Sequence, residues 1–264
     1  MPARPGKARA PRCGWTGTET GFYSGDKIVA VPKKITLYAV EKAPMVQPVR
    51  MCLYEKQIEH ELVYINPYNK PQWYKDLTPN GQGLVPLLDV DGELIFESSV
   101  INEYLDETFP ARRFLPTDPV VKAKNRAWTL AALEILLALV DMTVVRRLEE
   151  YEFNRTRLLG KLTKLDEQLS DGPFFNGEQL ALIDFQYAPI LLRIDILDRL
   201  YGTDVLPQFK RIPAWAKNVL ALESQKATVP PPSGGRDFDH CYLPACLDSF
   251  ISSQMASGMT LDPK

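Results

Sequence analysis

The stretch from Leu37 to Arg50, LYAVEKAPMVQPVR, has a layout that delivers a reactive side chain to a helix N-terminus. An apolar run leads into a short loop, and an amphipathic segment follows Ala43-Pro44. A thiol at that point would meet unpaired backbone N–H groups and the positive end of a helix dipole, which lower a cysteine pKa from about 8.5 to roughly 3.5–7.5. The residue before the proline is Ala43, which carries neither thiol nor hydroxyl. Chemistry at this loop must then come from a neighbour, from the backbone amides and helix N-terminus themselves, or from a bound molecule. Tyr38, at the end of the apolar run, has a hydroxyl able to donate a hydrogen bond to a thiolate. Cys52 follows Ala43 by nine residues, about 13 Å along a helix, and reads as a core residue. Cys13, Cys241 and Cys246 are scattered and fit no zinc or CxxC spacing, and neither His60 nor His240 has a partner close by in the chain. The pattern points to no metal site.

The elements that must carry this loop alternate between strand-like and helical from Lys33 to Pro110. KKITLYA reads as a strand, PMVQPVRMCLYEKQ as a helix with Val46, Val49, Cys52 and Leu53 toward one side, and HELVYI as a second strand. NPYNKPQWYKDLTPNGQG is loop with one helical turn. LVPLLDVDGELIF is a hairpin about Asp91-Gly92, and ESSVINEYLDETFP is a helix capped by Ser98 or Ser99 and closed by Pro110. The order β-α-β, then β-β-α, predicts a small mixed sheet with helices packed on it.

From Asp118 onward the spacing is helical. The segment VVKAKNRAWTLAALEILLALVDMTVVRRLEEYEFNRTRLLGKLTKLDEQLS predicts two helices with a break near Phe153-Asn154. ALIDFQYAPILLRIDILDRLYG is apolar all round, as a buried central helix must be, and PAWAKNVLALES adds a shorter one. Four regions follow: an N-terminal extension over residues 1–32, basic, rich in Pro and Gly and expected to be flexible; an α/β domain over 33–110; a helical domain over 117–225; and a C-terminal tail over 226–264. A hydrophobic content of 45%, 24% charged residues and a net charge of −2 are ordinary for a globular chain and give no general affinity for nucleic acid or an anionic membrane. No uninterrupted apolar run approaches the roughly 20 residues of a bilayer span, and the first residues lack the apolar core of a secretory signal. The expected compartment is the cytoplasm, with organelle targeting by the basic N-terminal residues left open.

NKPQWY, GLVPLL, ELIFESSVINEYLDE and RRFLPTDP, in this order and spacing, resemble the cytosolic glutathione transferases, most nearly the omega class and more loosely the glutathione-dependent etherases. The resemblance covers about Lys33 to Ser224. It implies a thioredoxin-like α/β N-terminal domain, an all-α C-terminal domain and a homodimer. It also implies a cis bond at Val85-Pro86, with the Val85 backbone pairing with the cysteinyl part of glutathione as an added strand would. In the same way Lys70 matches a lysine that contacts the glycyl end. Glu97 and Ser98, where a strand passes into a helix, would hold the α-ammonium and carboxylate of the γ-glutamyl end.

The resemblance fails at the catalytic position. Omega-like members place a cysteine five residues after the strand tyrosine and before a proline; here Tyr38 and Pro44 keep those flanks and Ala43 fills the place. Thiol-transfer reactions of the omega type are therefore not expected. Glutathione itself would serve as the nucleophile toward a small electrophilic or ether-bearing acceptor, with Tyr38 or the amides near Ala43 favouring the thiolate. Met45, Trp128 and Tyr151 are placed to line the acceptor pocket. Two other readings stand beside this one: a non-catalytic binding or scaffold protein on the same fold, and an engineered Cys-to-Ala variant of a thioltransferase. In the helical domain the family's Ser/Thr-x-x-Asp capping box keeps Asp184 but has Ala181 at the cap, giving up one bond.

Overall fold

A computed structural model of the chain describes residues 34–79 and 81–229, together with 22–24, 27–29 and 32. The chain divides into two compact units, Met1–Leu115 and Pro116–Lys264. Within the stretch expected to be a flexible extension, strands β1 (Phe22–Ser24) and β2 (Lys27–Val29) pair antiparallel. The rest of that extension, apart from residue 32, and the tail from residue 230 lie outside the described residues, as do Cys13, His240, Cys241 and Cys246.

The first unit is built on a four-stranded mixed sheet. Strands β3 (Ile35–Ala39), β4 (Glu61–Tyr64), β5 (Leu87–Val90) and β6 (Glu93–Phe96) lie in the order β4-β3-β5-β6. β3 and β4 run parallel, while β3–β5 and β5–β6 are antiparallel. The β5–β6 hairpin turns on Asp91 and Gly92, both at positive φ (53° and 99°), the geometry that favours an Asp-Gly pair. Helix α1 (Gln47–Glu55) buries Val49, Cys52 and Leu53 and packs against α3 (Ser98–Thr108). The short α2 (Gln72–Leu77) places Tyr74 on the face shared by Tyr38, Val63 and Leu87.

Two predicted helix starts shift. α1 begins at Gln47, after a turn closed by Val46 N–H to Ala43 C=O at 3.1 Å. The N-cap of α3 is Glu97, with Ser98 the first helical residue, and no side chain caps it.

At the end of this unit a buried ion pair fixes the chain after α3. Lys56 and Asp106 side chains are 1% and 2% exposed and 2.8 Å apart. Lys56 Nζ also donates to the carbonyls of Phe109 (2.9 Å) and Arg112 (2.6 Å). Asp106 accepts from the N–H groups of Phe114 (2.9 Å) and Leu115 (3.0 Å), so each buried charge has several partners.

The second unit is helical: α4 (Pro119–Val144), α5 (Leu148–Asp166), α6 (Leu182–Tyr201), α7 (Ile212–Ala221) and α8 (Glu223–Thr228). Asp118 caps α4 by accepting from Val120 and Val121 N–H, with Pro119 at the first position, where its missing N–H is no loss. The break after α4 falls at residues 145–147 rather than at Phe153-Asn154. The β-branched run Thr143-Val144-Val145 disfavours helix, and Thr143 Oγ1 turns back to the Val140 carbonyl at 2.8 Å. Asn154 is accommodated inside α5 because its side chain donates to the Glu150 carbonyl at 2.9 Å.

α6 is the buried axis of the unit, ending at Gly202 in the left-handed conformation (φ 61°) that a C-terminal glycine adopts without strain. Asp184 supplies its half of the capping box, accepting from Ala181 N–H at 2.8 Å; Ala181 has no side-chain acceptor to complete it. α4 is long and apolar enough, by length and composition, to cross a membrane, although charged residues interrupt its apolar run. One face of it, including Ile135, Leu136, Leu139 and Met142, is buried, and it packs on α5 and α6 as a core helix does.

Candidate functional site

Strand register brings the predicted site residues of the first unit to one end of the sheet. Tyr38 pairs with Leu87, Leu87 with Phe96, and Tyr38 with Val63. The loop after β3 carrying Ala43, the loop after β4 carrying Lys70, the segment before β5 carrying Val85 and the β6–α3 junction carrying Glu97 therefore leave the sheet from the same edge. Nothing in sequence separation requires this; the antiparallel placement of β5 next to β3 does.

At Ala43 the turn consumes the main chain. Ala43 N–H donates to the Val40 carbonyl and its C=O accepts from Val46 N–H, both at 3.1 Å. A group on its Cβ thus precedes α1 by a turn rather than sitting on its first N–H, and the amide of Ala43 is not available to a thiolate. Met45, in the same turn, is half-buried. Tyr38 is half-buried too, its ring centroid 5.5 Å from that of Tyr74 and 6.1 Å from that of Trp73. Cys52 is fully buried, and desolvation pushes its thiol far above the ordinary range, which leaves it inert.

The Val85–Pro86 bond is cis. Among the described residues neither the N–H nor the C=O of Val85 has a hydrogen-bond partner, so both are open to a ligand's main chain. Pro86 is buried. Lys70 is partly exposed, with Nζ 3.4 Å from the Gln82 carbonyl. At the β6–α3 junction Glu97 is exposed and holds φ +71°, a strained backbone for a residue with a side chain. Ser98 behind it is buried.

The remaining two predicted residues belong to the second unit. Trp128 is half-buried and its carbonyl accepts the Tyr187 hydroxyl at 2.8 Å. Tyr151 is only 4% exposed, its phenol pushed up to about 12 by burial among Arg155, Asp198 and Asp204. It is an interior residue of the helical unit rather than an open surface for an acceptor. Among the described residues no three His, Cys, Asp or Glu side chains come together to hold a metal ion.

Two family models match the chain: the glutathione S-transferase N-terminal domain over residues 43–108 and the glutathione S-transferase C-terminal domain over 148–218. The chain belongs to the glutathione S-transferase family. Its relatives place it near the omega class. Glutathione S-transferase omega-1 of Rattus norvegicus is 31% identical over 180 residues, covering 67% of this chain and 74% of the relative. The crystal structure of glutathione transferase Omega 3C from Trametes versicolor superposes with a TM-score of 0.67 at 30% identity, covering 75% of this chain and 89% of that one. The rice transferase GST1, solved in complex with glutathione, shares the fold at a TM-score of 0.72 and 22% identity, covering 83% and 97% of the two chains. The sheet with its helices is thus the thioredoxin-like domain of a transferase, and the second unit its helical domain.

In this transferase some features of the site escaped the sequence. The positive φ of Glu97 has no signature in residue type, since glutamate is a poor choice for that region. Tyr74 and Thr78, which bond the segment leading to Val85, lie in a stretch that reads as loop with one helical turn. The only available signal was the aromatic pair in NKPQWY, and that pair is equally well explained by packing.

Proposed function

We propose that this omega-like transferase binds glutathione at the sheet edge marked by Ala43, Lys70, Val85 and Glu97 and activates its thiol. The thiolate attacks a small hydrophobic electrophile or ether. A C–S bond forms to the acceptor carbon, the bond to the leaving group breaks, and that group departs with the electron pair and takes up a proton. The observation that carries this reading is the unpartnered Val85 main chain in a chain with no thiol at residue 43. With no cysteine at residue 43 to form a mixed disulfide, the sulfur that reacts in this reading is that of glutathione.

In this reading Lys70 meets the glycyl carboxylate, Val85 and Pro86 frame the cysteinyl unit, and Glu97 with Ser98 receives the γ-glutamyl end. The eleven-residue helix α3 offers its N-terminal amides to that carboxylate. Tyr38, at the end of β3, supplies the hydroxyl that donates to the sulfur in this reading, and Met45 is the side chain near Ala43 that can touch the acceptor. Because the Ala43 N–H is already bonded to Val40, Tyr38 becomes the stronger of the two thiolate-stabilising routes. Ala43 also favours a second reading, a glutathione-binding scaffold without turnover.

Calorimetric titration with glutathione, with ultraviolet difference spectra of the thiolate between pH 5 and 9, separates the two. Bound thiol ionising well below free glutathione, and losing that shift in Tyr38→Phe, supports the transferase. Binding with an unshifted thiol supports the scaffold. Absence of binding overturns both.

We also propose a homodimer. α4 exposes Leu130, Leu133, Leu137, Val140 and Val144, a 3-4-3-4 stripe opposite its buried face, with Leu130 70% exposed. Such a stripe is the pattern that pairs helices.

A further inference from the structure

The main chain reaches Val85 through a segment that α2 and the residues flanking it hold at consecutive points. The Tyr74 hydroxyl donates to the Leu84 carbonyl at 2.8 Å. The Gly83 N–H donates to Thr78 Oγ1 at 2.9 Å, and that hydroxyl's own hydrogen goes to the Lys75 carbonyl at 2.9 Å. The Lys70 stem lies against Gly83: a Cβ there would sit 3.2 Å from Lys70 Cδ and 3.4 Å from Tyr74 Cδ1, and φ is +67° at Gly81 and +63° at Gly83, the left-handed region that favours glycine. Lys70 Nζ reaches toward the Gln82 carbonyl at 3.4 Å. Gln82, Gly83 and Leu84 are each held, and the next residue, Val85, is the one whose amide and carbonyl stay open among the described residues.

Tyr74 is the centre of this arrangement. Its side chain is fully buried with Ile65 and Leu87, and Tyr38 and Val85 pack against that cluster. Desolvation pushes the phenol well above its ordinary pKa, so the hydroxyl remains a donor throughout the physiological range. The bonds made by Tyr74 and Thr78 come from side chains outside the proposed glutathione contacts, yet together they fix where Val85 and Lys70 stand relative to each other. A loop free to wander would have to be ordered at each binding event, and a loop already held by α2 is not.

We propose that Tyr74 and Thr78 are positioning residues for glutathione, acting through the Gln82–Val85 segment and Lys70. This rests on the glutathione reading above. Thr78 and Tyr74 hold the loop from the helix, Gly83 makes room for the lysine stem, and Val85 and Lys70 are presented as one surface to the cysteinyl and glycyl units.

The test is calorimetric titration of wild type, Tyr74→Phe, Thr78→Val and Thr78→Ser with two probes, glutathione and γ-glutamylcysteine, which lacks the glycyl unit. Measurements are made well below the unfolding transition, with folding checked by circular dichroism. Tyr74→Phe keeps the ring and removes one donor, and Thr78→Val removes the acceptor of the Gly83 N–H. Each is expected to weaken glutathione binding roughly three- to tenfold. Thr78→Ser keeps the hydroxyl and is expected to bind within about twofold of wild type. The preference for glutathione over γ-glutamylcysteine narrows in both weakened variants, because the same loop sets Lys70. Equal loss of affinity for both probes, or a lowered melting temperature with binding unchanged, marks a role in folding alone and overturns the proposal. So does a Tyr74→Phe or Thr78→Val protein that binds both probes as wild type does. A wild type that binds neither probe overturns the glutathione reading itself, and this inference with it.

Discussion

Replacing Asp184 by alanine removes one acceptor group from three buried donors. Its Oδ1 takes the Phe175 N–H at 2.9 Å and the Trp215 indole N–H at 2.8 Å, and its Oδ2 takes the Ala181 N–H at 2.8 Å. The carboxylate therefore ties the loop before α6, the start of α6 and α7 together, with no exposure to solvent. An unsatisfied buried donor costs about 1–3 kcal/mol, so three would cost about 3–9 kcal/mol if none found a new partner. Alanine also relieves the cost of burying a charge, and water entering the vacated space recovers part of the rest, leaving a loss of about 2–4 kcal/mol at pH 7.

The pH dependence of that loss has a definite sign. Burial pushes the Asp184 carboxyl from 3.8 up to about 6, against the pull of the three donated bonds. A carboxyl raised in the folded state contributes its stability fully below 3.8 and loses it as the pH rises through about 6. Between pH 5 and 7 the wild type gives up about 1 kcal/mol by this route and the alanine variant does not. The alanine penalty should then be larger at pH 5 than at pH 7. Urea unfolding followed by tryptophan fluorescence and far-ultraviolet circular dichroism at both pH values measures it. A penalty under about 1 kcal/mol at pH 7 would refute the three-donor argument. A penalty larger at pH 7 than at pH 5 would mean that the donated bonds outweigh burial.

Further outcomes follow from other parts of the chain. Lys56→Met leaves the Asp106 carboxylate buried without its cation and should cost about 3–5 kcal/mol in urea unfolding, with Lys56→Met/Asp106→Leu recovering much of it; a single-variant loss below about 1 kcal/mol contradicts the pairing. Ala43→Cys should acquire a mixed disulfide with oxidised glutathione, read by intact mass. Because the residue 43 amide is bonded to Val40 and α1 starts only at Gln47, the new thiol should titrate within about one unit of 8.5; an alkylation profile with a midpoint below about 6 would show that the helix acts on it directly. Leu133→Glu/Leu137→Glu should turn a dimer into a folded monomer in sedimentation equilibrium, and a wild type that is monomeric at micromolar concentration removes the dimer proposal.

The sequence alone carried much of what depends on near neighbours. Asp91-Gly92 marked a tight hairpin turn, and the alternation of elements up to Pro110 gave the mixed sheet and its helices. Ala43 was legible as a missing thiol because the tyrosine and proline around it kept their spacing. Two local outcomes still escaped it: the start of α1 moved because Ala43 C=O bonds to Val46 in a turn, and the break after α4 moved because Thr143 and Asn154 bond carbonyls three and four residues back in their own helices. Tertiary structure decided what depends on residues far apart. Lys56 meets Asp106 across fifty residues of chain, and Tyr151, which helical spacing left free to face an acceptor, is enclosed by Arg155 and the turn after α6. Local propensity and turn chemistry act over a few residues and can be read in order along a chain. Which amide is already spent, which charge is buried and which residues reach the same edge of the sheet are set by strand register and packing, and those exist only once the chain has folded.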